Sequence, residues 1–231
     1  DALDINYANH LFEIEGNLIA EGYQLKTLTK NKTIRFTLDG SKPNLNSDIY
    51  TKPISITKNT IINAAVFNDK TQLGSIFTQT INYHKAVGKK ITINVEPNKA
   101  YSGSGANGLI NGISGSDKRY GDKEWLGFWG DDLEITIDLG EEMEINSIET
   151  RFYHAPGQWI YAPTMIDFRF DKELPSISWV KPKNIITNFK LNRKTKTRFI
   201  KIRVFNFGEI PEGKQGAGNK AWTFIDEIII N

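Results

Sequence analysis

Leu133, Ile135, Ile137 and Leu139 alternate with Glu134, Thr136 and Asp138. A period of two belongs to a strand with one buried and one wet face, and it narrows the possible folds more than any other feature of this chain. The same alternation runs through Thr33–Leu38, with Ile34, Phe36 and Leu38 on one side, and returns in Ser75–Tyr83. Thr60–Phe67 is rich in Ile, Val and Thr, residues that pack well on a pleated surface. Ile145–Tyr153, Met165–Phe170, Arg198–Phe205 and Thr223–Ile230 read as further strands, whereas Asn9–Ile19 has no clear period. No stretch keeps the ~3.6-residue period of an amphipathic helix. The chain is expected to be all-β.

Turn chemistry at Asp39-Gly40 and Lys42-Pro43 separates short strands in the first part, the pattern of a small β-sandwich. His84–Lys90 is polar, carries Gly88, and reads as a short linker. The expected division is residues 1–86, a small sandwich, and residues 87–231, opening with the strand Ile91–Val95 and forming a second sandwich or a barrel-like jelly roll. The second part does not repeat the first.

Hydrophobic residues make up 39% of the chain and charged residues 24%, enough apolar mass for packed cores. The net charge of +2 argues against nucleic acid as the main partner. The basic residues of Lys181–Arg203 interleave with Ile200 and Ile202, so they read as the wet face of strands. With no cysteine, a disulfide framework, a thiol nucleophile and a zinc–thiolate site are excluded. No run approaches the ~18 apolar residues of a membrane-spanning helix, and no signal peptide is evident. The chain opens at Asp1 and reads as a portion of a longer protein.

Leu109–Phe128 is the long irregular stretch. Gly-containing turns at Asn111-Gly112 and Gly115-Ser116 precede a mixture of charges and aromatics. A loop of this length in a compact domain is more often functional than a mere connector.

Two resemblances add to this reading. Phe36-Thr37-Leu38-Asp39-Gly40-Ser41-Lys42-Pro43, then Tyr50 and Pro53, then Thr60–Ala65, resemble the small immunoglobulin-like or fibronectin-like β-sandwich that follows the catalytic domain of bacterial chitobiases and β-hexosaminidases. Tyr101-Ser102-Gly103, Leu109-Ile110-Asn111-Gly112, Trp125-Leu126-Gly127-Phe128, Leu133–Gly140, Ile145–Ile148 and Trp222–Ile228 together resemble the discoidin or F5/8 type C domain, and within it the family 32 carbohydrate-binding modules. That resemblance implies a discoidin-type (galactose-binding-domain-like) β-sandwich jelly roll. The tandem is similar to the C-terminal part of a family 20 β-N-acetylhexosaminidase of a Gram-negative bacterium, secreted, periplasmic or on the cell surface. The N-terminal catalytic domain of the same polypeptide would be a partner.

The resemblance further implies a structural calcium ion, held by the loop through Asn111 and the backbone of Leu109, Ser114 and Ser116, with Glu227 reaching back from the last strand. Asn111 stands where the family often has Asp, which removes one negative charge. Alternation places Glu227 on a side with Ile225 and Ile229, so it must be paired, either with a cation or with a Lys or Arg.

Sugar sites combine an aromatic platform with polar side chains. Trp159 and Tyr161, in the Pro- and Gly-containing loop Tyr153–Pro163, are candidate platforms, although Trp159 could equally pack over the barrel end. His154 is a candidate hydrogen-bonding partner or a solvated loop residue. Arg119, beside Lys118 and Tyr120, is the preferred hydroxyl donor because its planar fork meets two oxygens at once. Gln215 and Asn219 lie in the Gly-rich loop Asn206–Lys220, either an opposite wall or a plain flexible loop. Trp125 reads as core.

Two further patterns carry no chemistry. Gly103–Gly108 matches GxGxxG, but no helix follows to receive a pyrophosphate. Asp226-Glu227 looks like an acidic catalytic pair, but neighbours on a strand point to opposite faces. The expected function is therefore that of a non-catalytic accessory region of a glycosidase. It would tether the enzyme to glycans of galactose, N-acetylgalactosamine or N-acetylglucosamine type. The alternative is a structural or protein-docking domain that has lost sugar binding.

Overall fold

The computed structural model describes residues 11–171 and 174–231. The chain divides into two compact units, Asp1–Tyr83 and His84–Asn231. His84, Ala86 and Val87 are buried, and the Lys85 N–H donates to the carbonyl of Ile230 at 2.9 Å. The stretch expected to be a linker is thus the first segment of the second unit.

In the first unit, strands β1 (Ile14–Ile19) and β2 (Gly22–Thr27) form a hairpin. Asn9 and His10, the start of the stretch without a clear period, lie outside the described residues. Strands β3 (Thr33–Thr37), β4 (Asp48–Ile49), β5 (Thr60–Asn68) and β6 (Thr71–Ile81) make an antiparallel sheet in the order β4-β3-β5-β6. Tyr23, Leu25, Ile62, Ala64, Val66 and Ile81 are buried between the layers. The Asp39-Gly40 turn is locked by side chains. Asp39 Oδ1 accepts from the Ser41 N–H at 2.9 Å, and Asn63 Nδ2 donates to the carbonyls of Gly40 and Ser41 at 2.7 and 3.1 Å.

The second unit contains strands β7 (Lys90–Ile93), β8 (Leu126–Trp129), β9 (Leu133–Tyr153), β10 (Met165–Phe170), β11 (Ser176–Trp179), β12 (Ile186–Phe205) and β13 (Trp222–Ile230). They hydrogen-bond in the order β11-β10-β12-β9-β13-β8, with β7 also on β9. Strands β9 and β12 pair along nearly their whole length, from Ile186 opposite Tyr153 to Val204 opposite Leu133, with register shifts after Asn192 and Thr197. One half of this ribbon carries β7 and β10, and the other half carries β13. The two halves fold over a common core of Ile135, Ile137, Ile148, Phe152, Phe168, Ile202, Ile225 and Ile228. Removing side chains of this size from water is worth roughly 1.5–3 kcal/mol each.

A glycine after the alternating run Leu133–Leu139 is expected to end the strand, but Gly140 does not. It sits inside β9 with φ of 88°, where only glycine turns the strand cheaply between the two layers. Along β12 the basic side chains Lys190, Lys201 and Arg198 face outward, as the interleaved pattern indicated.

Candidate functional site

The long irregular stretch folds as a short 3-10 helix, Gly105–Ile110, followed by a loop that runs to β8. Leu109 and Ile110 anchor the helix in the core. The register of β13 shifts between Ile225 and Ile228. This bulge overturns the opposite-faces expectation for Asp226 and Glu227, because both carboxylates now reach the same loop. Asp226 Oδ2 accepts from the Gly115 N–H at 2.8 Å. Glu227 accepts from the N–H groups of Gly112 at 3.1 Å and Ile113 at 3.2 Å. Arg151 completes the closure. Its Nε lies 3.2 Å from Asp226 Oδ2, and its Nη2 donates to the Gly115 carbonyl at 3.1 Å and to Asp117 at 2.7 Å.

Nothing in the sequence pointed to His84, 143 residues from Glu227, yet its Nε2 lies 2.8 Å from Glu227 Oε1. His84 Nδ1 accepts the Ala86 N–H at 3.3 Å, so Nε2 carries the proton and donates. Burial pushes His84 down to about 4, so the ring is neutral at pH 7. Burial also pushes the Asp226 carboxyl up to about 7 and raises Glu124, and it raises Glu227 well above the usual range against the two backbone donors. All three of Glu227's partners are donors.

This donor set does not fit a calcium ion. Such an ion needs six to eight oxygens turned toward it, whereas the groups turned toward Glu227 are N–H groups. Asn111 Oδ1 accepts the Ile113 N–H at 2.8 Å and its Nδ2 donates to Glu124 at 3.0 Å. The Ser116 carbonyl accepts Trp125 Nε1 at 3.0 Å. Leu109 is fully buried in the core and Ser114 half-buried. Among the described residues no group of three His, Asp or Glu is placed to hold a metal. The loop is closed by N–H donors, His84 and Arg151.

The open part of this end lies beside the closed loop. Residues Pro156–Gln158 form a 3-10 turn, and Trp159 follows it with φ of 63°. This left-handed residue aims the indole against Gly216 of the Asn206–Lys220 loop, where an added Cβ would collide with the ring. Gln215 approaches Gly157 of the same turn. From the other side, the Tyr120 hydroxyl lies 3.2 Å from Gln158 Oε1 and donates to it. Three loops therefore meet around Trp159. Arg119 and Gln215 are exposed, and Trp159 is partly buried, packed against Tyr161, Ile210 and Ala221.

Other expected contacts are displaced. Tyr161 is not a platform: it is 5% exposed and stacks on Phe207 with ring centres 4.4 Å apart. Its neighbours Ile160 and Ala162 are also buried, because this segment passes between loops instead of bulging into solvent. His154 is tied down by the Ala162 N–H, which donates to its Nδ1 at 3.2 Å, and burial lowers its pKa. Tyr120 sits edge-on to Tyr153 and Phe224 at 5.5 and 5.3 Å, and its hydroxyl donates to Gln158, so its ring is not an open platform. Asn219 donates to the Gly216 carbonyl at 3.0 Å, holding its own loop. Trp125 is core, fully buried with Arg151 over its face. The sequence carries no signal for Trp129, the end residue of a buried strand. It is 51% exposed, stacks on Trp222 at 5.8 Å, and donates from Nε1 to the Lys220 carbonyl at 2.9 Å.

A family model described as "Fn3 associated" matches residues 24–81. No curated protein matches the chain. Solved structures similar to it include a fucose binding module of Streptococcus pneumoniae, 12% identical over 64% of this chain and 94% of that one, with a TM-score of 0.42. A second is chitosan-binding module 2 of a Paenibacillus sp. IK-5 chitosanase/glucanase, in complex with chitotriose, 13% identical over 63% and 98%, with a TM-score of 0.36. A third is the CBM32 of AlyQ in complex with 4,5-unsaturated mannuronic acid, 17% identical over 62% and 93%, with a TM-score of 0.34. Likeness at this level assigns no residues, and the all-β sandwich fold rests on the strands themselves.

Proposed function

We propose that the second unit is a non-catalytic saccharide-binding module. Its site is the rim where the Lys118–Gly121, Tyr153–Pro163 and Asn206–Lys220 loops meet. The observation that carries this reading is the left-handed Trp159, partly buried against Tyr161, Ile210 and Ala221 and seated on Gly216, next to the exposed Gln215. Residues with positive φ and a side chain cost about 1–3 kcal/mol and persist where the surroundings impose them. An indole face held in this way can take the apolar side of a pyranose, while Arg119 and Gln215 are placed to meet its hydroxyls. The buried acids nearby are poor catalysts, since each is locked into the closed loop. Tethering through such a module raises the local concentration of a linked enzyme on its glycan even where single-site affinity is weak.

The finer reading is that this enzyme is a secreted bacterial β-N-acetylhexosaminidase and that the sugar is of galactose or N-acetylhexosamine type. Support for it comes from the turn and strand sequences of both units. The test is calorimetric titration with galactose, N-acetylgalactosamine, N-acetylglucosamine, fucose and chitotriose. Binding that weakens about tenfold in Arg119→Ala or Gln215→Ala, both exposed and harmless to the fold, supports the rim. Binding of none of these sugars, or binding that both variants leave unchanged, overturns it.

A further inference from the structure

The outer face of the β9, β12 and β10 layer carries a groove of about 290 Å³, lined by Glu134, Thr136, Asp167, Arg169, Lys201 and Arg203. Alternation puts these side chains outward, because Ile135, Phe168 and Ile202 fill the core from the opposite face. Register arranges them in two rows. Asp167, Arg203 and Glu134 lie side by side across the three strands, and Arg169, Lys201 and Thr136 lie in the next row.

Asp167 is 4% exposed although it stands on the outer face. Its Oδ2 accepts from Arg169 Nε at 2.9 Å, but its Oδ1 has no hydrogen-bond partner. Directly opposite, Arg203 spends Nη2 on Asp132 at 3.1 Å, and its buried Nε has no hydrogen-bond partner. The nearest carboxylate oxygen to that Nε is Glu134 Oε1 at 3.8 Å, too far for a hydrogen bond. One buried acceptor and one buried donor thus belong to residues paired across adjacent strands. Leaving each unpaired costs about 1–3 kcal/mol. An ammonium group only donates and a carboxylate only accepts, whereas a hydroxyl does both. The edge strand β11 flanks the groove without lining it. On β11, Ile177 is paired with Asp167 and Trp179 with Met165, and these two side chains are 60% and 72% exposed. A hydroxyl-pairing floor beside an exposed indole is the chemistry of a sugar ring.

We propose that this groove is a second saccharide site. A ring hydroxyl donates to Asp167 Oδ1 and accepts from Arg203 Nε, and the ring edge lies along Trp179. Arg169 and Arg203 cover the floor with half-exposed side chains, so the ligand seats as the Arg169 side chain swings outward. The site shares no residue with the Trp159 rim and does not depend on it. Two sites on one module suit a glycan chain long enough to pass both, or two chains bound at once.

The test uses the whole chain, ¹⁵N-labelled, titrated with chitohexaose, laminarihexaose and an oligomannuronate, with glycerol as the simple polyol control. The expected result is a saturable shift of the Trp179 indole Nε1–H and Arg203 Nε–H resonances with at least one oligosaccharide. It should be weakened about tenfold in Trp179→Ala and in Asp167→Asn, and unchanged in Trp159→Ala. Trp179→Ala removes an exposed side chain and keeps the test valid if Asp167→Asn disturbs folding. Unmoved resonances with all three oligosaccharides overturn the proposal. So do shifts that glycerol reproduces, which would mark an adventitious polyol only. Shifts confined to Trp159 and Gln215 would keep the rim and sink the groove, and the converse would sink the rim alone.

Discussion

The second unit has two glycine-rich irregular loops at the same end, and they are held by opposite means. The loop after Ile110 is closed from beneath by buried charge: Glu227, Asp226 and Arg151 take its N–H and C=O groups one by one. The Asn206–Lys220 loop is closed by its own backbone. The Ile210 N–H donates to the Asn219 carbonyl at 2.8 Å, the Gly218 N–H to Ile210 at 3.0 Å, and the Ala221 N–H to Gly208 at 2.9 Å. Gly208, Gly213, Gly216 and Gly218 all have positive φ, and Asn206 staples the ends through Ala221 and Thr223. Composition does not distinguish the two. A loop that must stay put beneath a core needs side chains from elsewhere to satisfy its buried backbone. A loop that stays in solvent satisfies itself, and its outward side chains are left available to a ligand.

The largest expected effect breaks the first mode. Glu227→Ala removes the acceptor of three buried donors at once, from Gly112, Ile113 and His84. Each buried donor left without an acceptor costs about 1–3 kcal/mol, and three lose theirs together. Glu227→Gln keeps a carbonyl for part of the set and should cost less, about 1–3 kcal/mol. All five tryptophans lie in the second unit, so a urea titration followed by indole fluorescence reads this unit alone. A Glu227→Ala variant within 1 kcal/mol of the parent would show that the loop closes without its carboxylate.

Particular residues show how far the sequence carries this comparison. Alternation gave the strand faces, because a two-residue period is local and needs no knowledge of the partner strand. It also gave the outward run of Lys and Arg along β12, while Trp125 read as core from its place before Leu126-Gly127-Phe128. It failed at Gly140, where a glycine that looked like a terminator instead bends a 21-residue strand. It failed again at Asp226 and Glu227, since a bulge depends on the facing strand and leaves no local mark. His84 was invisible for the same reason: its partner is 143 residues away, and one histidine in a polar heptad reads as surface. Glu227 was legible as a buried carboxylate needing a partner, but the partner's identity was not. Tyr161 departs from expectation because a place in a loop does not guarantee exposure, and neither unpartnered groove atom has any signature in the chain's order.

A smaller effect probes the second mode. Gly216 has φ of 83° with the Trp159 ring against it. Gly216→Ala adds a strained backbone residue and a methyl group where the indole lies, at about 1–3 kcal/mol. Its distinctive consequence is local. Trp159 must move, so sugar affinity at the rim should fall more than stability, while the loop below Glu227 is untouched. Equal loss of both would mean that the two loops are one cooperative structure, and the contrast between them would disappear.

The smallest effect expected is none at all, and it is the sharpest. If the loop below Glu227 is closed by N–H donors, its stability is indifferent to calcium. A cation placed at that carboxylate would meet the positive ends of the Gly112 and Ile113 N–H dipoles and the Nε2–H of His84. To bind, the ion would have to turn two peptide groups around and expel the imidazole, losing three hydrogen bonds in a buried site. Melting followed by fluorescence should therefore give one Tm in excess calcium and in excess chelator. A higher Tm with calcium would require those carbonyls to face the carboxylate. In that case His84→Ala, which frees one side of the carboxylate, should strengthen the calcium response.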